Sequence, residues 1–283
     1  MPVFFKFLSA LPLGLLHGLG WVLGWVVWLA SGVYRRRFLA NAHQAGLPAQ
    51  AWLGAVGQSG QLVTELPRLW LGRAVPVQWT GAEHVAQALA QRRGIVFLTP
   101  HLGCFEICAQ AYAQRFGQDA QPITVLFRPP RQAWLRKLVG AARQRPGLLT
   151  APTTLSGVKQ MIKALKRGES VGLLPDQVPP LGMGVMAPFF GRDAYTMTLS
   201  VRLVQQTGAA ALLAWGERLG GGRGYRVHVQ PMAAALPADV TAAAAAVNQA
   251  MQDLILQCPG QYLWGYARYK NPRDAAHTDH AAV

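Results

Sequence analysis

Acidic residues are scarce in this chain of 283 residues. It carries 12 aspartates and glutamates against 27 lysines and arginines, which gives a formal net charge of +15 at pH 7. This is far from charge balance for a soluble metabolic enzyme, and it indicates an acidic partner. Nucleic acid, an anionic membrane surface, an acidic carrier protein and a phosphorylated substrate all meet that requirement.

Cysteine is also scarce. The three cysteines, Cys104, Cys108 and Cys258, are odd in number and lack framework spacing, which argues against a disulfide scaffold and favours a reducing compartment. Cys104 and Cys108 are four residues apart on one predicted helix, but no further Cys or His cluster completes a tetrahedral metal set. We interpret both as small packing residues.

Several signatures of catalysis and cofactor binding are missing. The chain has no G-x-S-x-G elbow and no H-E-x-x-H helix, so a hydrolase with its own nucleophile is poorly supported. The glycines of "RLGGGRGYRVHVQP" precede no helix start, and "LGMGVMAPFFG" lacks the spacing of a dinucleotide fingerprint. We therefore expect no nucleotide, metal or redox cofactor. The basic residues are scattered and form no recognisable nucleic-acid-binding module, which argues against nucleic acid as the partner.

One long hydrophobic run is present at the N-terminus. Residues 7–33 are apolar except for Ser9, His17 and Ser31, and "YRRR" at Tyr34–Arg37 follows directly. A helix of this length spans a hydrocarbon core of about 30 Å, and arginines after a run that contains three tryptophans are typical of a membrane interface. The pattern predicts an uncleaved anchor at residues 1–34, with the catalytic domain on the cytoplasmic side.

Two alternatives to this interpretation stay open. The segment "ASG" resembles the small-residue cleavage site of a signal peptide, although only Lys6 precedes the run and the arginines fall where they would hinder export. The run can also lie in the membrane interface instead of spanning it. The two helices predicted between residues 35 and 72 either lie against the membrane or pack on the domain.

From residue 75 onward short apolar strands alternate with helical patterns. This alternation predicts an α/β domain at residues 35–270, with a mixed, largely parallel sheet flanked by helices. The small, polar segment at residues 271–283 is predicted to be a disordered tail. The predicted strands are "VPVQW", "GIVFLT", "PITVLF", "SVGLLP", "AALLAWGE" and a return strand in "GYRVHVQP", and the predicted helices cover residues 82–91, 102–117, 132–142, 154–168, 196–207 and 238–257.

The segment "TPHLGCFE" places His101 and Glu106 across a predicted strand-to-helix turn. Ligands in α/β folds usually bind at such turns. A neutral histidine can take a proton from a hydroxyl, and a carboxylate can orient it and stabilise the imidazolium. The pair therefore indicates acyl transfer. The alternative is that His101 only caps the strand and that Glu106 is a solvated helix residue.

The same segment resembles the H-x-x-x-x-[DE] motif of glycerolipid acyltransferases, and more closely the H-L-G-x-[WF]-E form of lipid A biosynthesis acyltransferases. Four further blocks resemble that family in order and spacing, and together they cover most of the chain up to Lys270. They are "FRPPRQAWL", "GVKQMIKALKRGESVGLLPDQ", "APFFGRDAYTMT" and "PGQYLWGYARYK".

The resemblance implies a glycerolipid acyltransferase-like fold and an enzyme of the bacterial inner membrane. Such an enzyme transfers a fatty acyl group from acyl carrier protein to a hydroxyl of a lipid A precursor. By this resemblance His101 is the general base and Glu106 its orienting acid.

Five further positions are predicted to bind substrate, and the resemblance implies three of them, Arg128, Asp176 and Gln177. Arg128 binds substrate, since a guanidinium suits a phosphate or a developing oxyanion, unless it is only a surface residue before a turn. Asp176 shapes the site beside Gln177, unless it only caps the turn after its strand. Arg192 and Arg268 are candidates to face anionic head groups, with solvated basic residues as the alternative.

Two departures from the family pattern leave the acceptor open. Tyr266 stands where the family often has histidine, and Cys104 and Phe105 stand where it often has asparagine and tryptophan. A lysophospholipid or aminolipid acceptor therefore remains an alternative, as does a catalytically silent protein that binds lipid or carrier. The sequence predicts neither acyl chain length, order of substrate binding nor oligomeric state.

Overall fold

The structure is a computed structural model that describes residues 2–117, 121–127, 140 and 145–272. Arg128, most of the helix predicted at residues 132–142 and most of the predicted tail lie outside these residues. The helices in the described ranges are α1 (Pro2–Ala10), α2 (Leu13–Ala30), α3 (Gly32–Gln44), α4 (Ala49–Trp52), α5 (Gly54–Thr64), α6 (Leu66–Leu71), α7 (Ala82–Ala90), α8 (Phe105–Arg115), α9 (Leu155–Lys166), α10 (Leu199–Thr207) and α11 (Val240–Gln257). The strands there are β1 (Val77–Thr80), β2 (Ile95–Leu98), β3 (Ile123–Phe127), β4 (Leu148–Pro152), β5 (Ser170–Leu173), β6 (Gly184–Phe189), β7 (Arg192–Met197), β8 (Ala210–Arg218) and β9 (Tyr225–Pro231).

Seven strands form one sheet in the order β1-β9-β8-β2-β5-β3-β4. The β8–β9 pair is antiparallel and every other neighbouring pair is parallel. The structure therefore confirms the predicted mixed, largely parallel sheet. Strand β2 is the apolar run "IVFL", buried at all four positions because helices cover both faces of the sheet. Helices α7 and α8 pack on one face, and α9 and α10 pack on the other.

A two-stranded hairpin, β6–β7, lies outside this sheet and was not predicted from the sequence. The helix predicted at residues 196–207 begins only at Leu199, after β7. Pro188 and the turn at Phe190 and Gly191, with φ values of 48° and 72°, interrupt the alternation that marks a strand. The hairpin packs on α11, where the Asn248 side chain donates to the Pro188 carbonyl at 2.9 Å.

The N-terminal hydrophobic run forms two helices and not one. Pro12 begins α2, because it lacks the N–H that a continuous helix would require. Ser31 ends α2, and its hydroxyl accepts from the Tyr34 N–H at the start of α3. Within the described residues, α2 is the one helix long and apolar enough to cross a membrane by length and composition.

Candidate active site

The two central strands of the sheet end side by side. Strands β2 and β5 are parallel, with Leu98 opposite Leu173. Each strand is followed by two residues and then by a polar side chain, His101 after β2 and Asp176 after β5. Strands that are parallel and in register carry equivalent positions to the same edge of a sheet. His101 and Asp176 therefore meet at the carboxyl edge, where α/β folds bind ligands.

His101 is held by Asp176 through two hydrogen bonds. The ring Nδ1 lies 2.7 Å from Asp176 Oδ1, and the backbone N–H of His101 donates to Oδ2 at 2.8 Å. The Tyr262 hydroxyl also donates to Oδ2, at 3.3 Å. Asp176 is only 1% exposed, so these contacts fix both the carboxylate and the orientation of the ring.

The electrostatics keep Asp176 ionised. Burial by itself raises the pKa of this carboxyl, but its electrostatic interaction with the His101 ring, the two hydrogen bonds from His101 and the charge of Arg268 together lower the pKa below its usual value. Burial raises the pKa of Tyr262 well above its usual value, so its hydroxyl stays a donor. A carboxylate accepts hydrogen bonds only, which places the ring proton of His101 on Nδ1.

The second ring nitrogen of His101 is then a base. With the proton on Nδ1, Nε2 carries a lone pair, and the Gln177 side-chain amide donates to it over 2.9 Å. His101 lines a cavity beside the sheet, and its ring contacts Phe105 at the start of α8, with ring centroids 4.8 Å apart. This is the tautomer that a general base for a hydroxyl requires.

Glu106 lies in the wall of the same cavity, in the first turn of α8. The indole Nε1 of Trp70 donates to its Oε2 at 3.5 Å. The structure thus brings Glu106 to the cavity beside His101, while the oxygen bonded to Nδ1 of His101 comes from Asp176. The sequence placed Asp176 at the site but did not indicate this contact.

The cavity has a volume of about 330 Å³ and is mainly apolar. It lies between the sheet and α8, and Cys108 and Tyr112 contribute to its wall; burial raises the pKa of each to about 12, so both stay neutral. The other ionisable side chains among the described lining residues are those of His101 and Glu106. Other lining side chains are Trp79, Phe97, Val125, Phe127, Leu148 and Val227.

The two predicted arginines within the described residues, Arg192 and Arg268, do not line the cavity. Arg268 is buried, only 2% exposed, and it donates to the Tyr195 carbonyl and the Thr196 hydroxyl, both at 2.7 Å. It lies behind Asp176 as an internal cation and not on a surface that head groups reach. Arg192 is exposed and lies 4.7 Å from the centre of the Tyr269 ring.

The C-terminal segment supports the site with residues that sequence reasoning did not select. Tyr262 holds Asp176, and the Tyr266 hydroxyl accepts from the Val178 N–H at 3.0 Å. The Asn41 amide donates to the carbonyls of Trp264 and Tyr266, both at 2.7 Å, and so fixes this segment to α3. The sequence signal for these residues was the block "PGQYLWGYARYK", because tyrosines spaced in this way carry no chemistry of their own.

A buried ion pair lies behind the turn that carries His101. Glu65, fully buried, accepts from Arg218 Nε and Nη2 at 2.8 and 2.7 Å, and from the Tyr225 hydroxyl at 2.9 Å. Nη2 of Arg218 also donates to the Gly103 carbonyl at 2.8 Å. Burial alone raises the pKa of Glu65, but the charge of Arg218 and the bonds from His17 and Arg218 lower it to about 2. The pair therefore stays charged at neutral pH and holds the turn two residues after His101.

Comparison with known proteins gives consistent results. A family model described as bacterial lipid A biosynthesis acyltransferase matches residues 67–271. The lipid A biosynthesis lauroyltransferase of Escherichia coli K12 is 31% identical over 219 residues, which cover 75% of this chain and 68% of that protein. The palmitoleoyltransferase of the same strain is 27% identical over 191 residues, covering 67% of this chain and 60% of that protein. A lipid A biosynthesis acyltransferase of Haemophilus influenzae is 25% identical over 189 residues, covering 66% and 57%.

Proposed function

The chain belongs to the bacterial lipid A biosynthesis acyltransferase family and is an acyltransferase of lipid A synthesis, and from this premise we propose its donor, acceptor and catalytic groups. The donor is an acyl thioester on acyl carrier protein, and the acceptor is a hydroxyl of a lipid A precursor. The observation that carries the proposal is the 2.7 Å hydrogen bond between His101 Nδ1 and Asp176.

The proposed reaction is a direct acyl transfer. The acceptor hydroxyl displaces the Gln177 amide from His101 Nε2 and gives its proton to that nitrogen while its oxygen attacks the thioester carbonyl carbon. Asp176 stabilises the imidazolium, as the carboxylate of a serine-protease triad does. The tetrahedral intermediate then collapses, the carbon–sulfur bond breaks, and the leaving thiolate takes the proton from His101.

The start of α8 supports the charge that develops in this reaction. The helix begins four residues after His101, so its first-turn N–H groups and the positive end of its dipole adjoin the reacting atoms. Glu106 keeps a proposed role with His101: its carboxylate, in the same cavity wall, favours the imidazolium electrostatically. Orientation of the ring is assigned to Asp176.

The proposed place of the acyl chain is the apolar cavity. Its aliphatic and aromatic walls favour a hydrocarbon chain, and its volume of about 330 Å³ falls within the range of small-ligand sites. Phe127 lines this cavity, and the next residue is Arg128, which we propose binds an anionic group of the substrate. Arg192, which is exposed, is proposed to contact anionic head groups.

The remaining proposals concern donor and location. The formal charge of +15 favours an acidic carrier protein as donor, because opposite charges accelerate encounter. We place the protein at the bacterial inner membrane through its N-terminal helices, with the catalytic domain on the cytoplasmic side. The exposed apolar side chains of α2 support this placement.

The test is acyl transfer by the purified protein in detergent. A panel of acyl-carrier-protein thioesters is offered with a lipid A precursor, a lysophospholipid and an aminolipid as acceptors. The proposal is supported if the wild type acylates the lipid A precursor and the rate of this transfer falls at least about 10²-fold in His101→Ala. Transfer only to another acceptor overturns the acceptor assignment. Full activity of His101→Ala overturns the mechanism.

A further inference from the structure

Helix α2 has two different faces, and the inner one is packed on the catalytic domain. Gly20 and Gly24 of α2 meet Gly57 and Gly60 of α5 so closely that a methyl group on Gly24 would collide with the Val56 carbonyl oxygen. Small residues permit this approach of two backbones. The contact is therefore a close-packed helix pair.

Polar contacts along the inner face also join α2 to the domain. His17 Nε2 lies 3.2 Å from Glu65 Oε2, and both residues are buried. The Gln61 amide donates to the His17 carbonyl at 3.1 Å, and the Thr64 hydroxyl donates to the Leu16 carbonyl at 2.7 Å. Separation of α2 from the domain would break these bonds and leave buried polar groups without partners.

The outer face of α2 is an exposed apolar stripe. Its members recur at intervals of four and three residues, which places them on one side of the helix, and each is between 48% and 62% exposed. Phe4 and Phe7 of α1 are 56% and 62% exposed and extend the apolar surface. The stripe consists of Leu15, Leu19, Val22, Val26 and Leu29.

A membrane-spanning α2 conflicts with this packing. If α2 crossed the bilayer with its inner face as observed, α5 would be carried into the hydrocarbon together with Gln58, Gln61, Thr64 and Glu65. Polar and ionised groups are costly at that depth. If α2 crossed alone, the glycine contact and the bonds of His17 would be lost.

We propose that α1 and α2 form a docking surface that lies in the plane of an anionic bilayer, with the apolar stripe in the acyl region and neither helix crossing the membrane. Charge supports this occupant: Lys6 and the α3 arginines Arg36 and Arg37 are exposed at either end of α2, where they attract anionic lipid. The inference deepens the proposed membrane attachment and is independent of the proposed chemistry.

The docking surface adjoins the active-site cavity. Arg68 of α6 donates to the Ser9 carbonyl of α1 at 3.2 Å, and Trp70, two residues further along α6, lines the cavity. The wall of the cavity is thus attached to the helix that meets the membrane. An acceptor lipid would reach His101 from the bilayer side without leaving the interface completely.

Topology is tested by cysteine labelling of the full chain in sealed membranes. Ala10→Cys lies just before α2 and Ala30→Cys is at its last residue, so the two positions flank a helix about 27 Å long. Ala86→Cys on α7 marks the catalytic domain, and all three positions are exposed. The wild type is the background control, because burial raises the pKa of Cys108 to about 12 and of Cys258 to about 11, and keeps Cys104 a thiol.

An impermeant maleimide should label all three positions in inverted inner-membrane vesicles and none of them in intact spheroplasts. Labelling of Ala10→Cys and Ala30→Cys from opposite sides would overturn the inference. The readout needs no turnover, so it remains decisive even if the proposed reaction is wrong.

Binding to vesicles tests the stripe itself. The pair Val22→Asp and Val26→Asp should weaken co-sedimentation with vesicles that contain phosphatidylglycerol by about tenfold or more, at an unchanged melting temperature. Leu181→Asp, at an exposed apolar position outside the surface, is the matched control. Equal binding by the paired variant and the control would overturn the inference. Wild-type binding that is equally strong on vesicles of phosphatidylcholine alone would also overturn it.

Discussion

At the scale of residues, the site is defined by which acid holds His101. The sequence offered Glu106, five positions away, and the fold placed Asp176, 75 positions away, on Nδ1. Glu106 was favoured because it is close to His101 along the chain. Asp176 reaches His101 because β2 pairs with β5. The position of His101 at the carboxyl end of β2 was predictable, because the apolar run before it marks a buried strand.

Asp176→Asn is expected to lower kcat by about 10³ to 10⁴ with little change in KM. An amide that donates to Nδ1 would force the ring proton onto Nε2 and remove the base, and similar tautomer effects have this size. Steady-state kinetics beside Glu106→Gln check the prediction, since Glu106→Gln leaves the Nδ1 contact intact and should cost about tenfold. A larger loss of kcat in Glu106→Gln than in Asp176→Asn would assign the orienting role to Glu106.

Gln177→Ala is expected to raise thioester hydrolysis several-fold relative to acyl transfer. The amide occupies the lone pair of His101 Nε2 in the structure, so its removal offers the base to water before an acceptor arrives. The measurement is the ratio of free fatty acid to acylated product. Gln160→Ala, at an exposed position on α9, is the control; an equal ratio in the two variants would contradict the idea.

At the scale of elements, the sequence predicted most helices and strands but not how they meet. The runs "GIVFLT" and "SVGLLP" are apolar at consecutive positions, and this local property predicted β2 and β5. Their adjacency, with β3 and β4 placed outside β5, is a property of the whole sheet. The hydrophobic run at the N-terminus predicted a helix, but its glycines did not reveal that α5 supplies the partner.

The ion pair of Glu65 and Arg218 is expected to make stability depend on pH. The pKa of Glu65 falls from 4.5 to about 2 on folding, so this carboxylate adds stability on the order of 3 kcal/mol above pH 4.5. That contribution is lost as pH falls from about 4.5 through about 2, where the folded state also becomes protonated.

This pH dependence is checked by urea unfolding of the wild type and of Glu65→Gln, at pH 7 and at lower pH. The variant should be less stable at pH 7 by several kcal/mol, because Arg218 remains buried and unpaired with a carboxylate, and its stability should vary less with pH. Glu83→Gln, at an exposed position on α7, is the control. A wild-type curve that is flat below pH 4.5 would contradict the assignment.

At the scale of the whole molecule, the net charge was fully predictable, but its distribution was not. The structure places Lys159, Lys163 and Lys166 on the exposed side of α9, spaced so that they share one face. A helix that carries three exposed lysines is a suitable surface for an acidic carrier protein.

The double change Lys159→Glu and Lys163→Glu is expected to lower kcat/KM for the acyl-carrier-protein donor by about 10- to 100-fold at low salt. The difference from wild type should shrink as salt rises, since exposed charges are screened beyond about 10 Å at 0.1 M. An uncharged N-acetylcysteamine thioester, used equally well by both proteins, is the control. A loss with both donors, or a loss that salt does not reduce, would contradict carrier docking on α9.

The shared register of β2 and β5 has a consequence for heat resistance. His101 and Asp176 each lie three residues beyond a paired position of adjacent strands, so their spacing is set by the backbone ladder in the centre of the sheet. Warming that loosens peripheral loops leaves this spacing unchanged. Inactivation and global melting should therefore occur at one temperature, with no inactive but folded state before them.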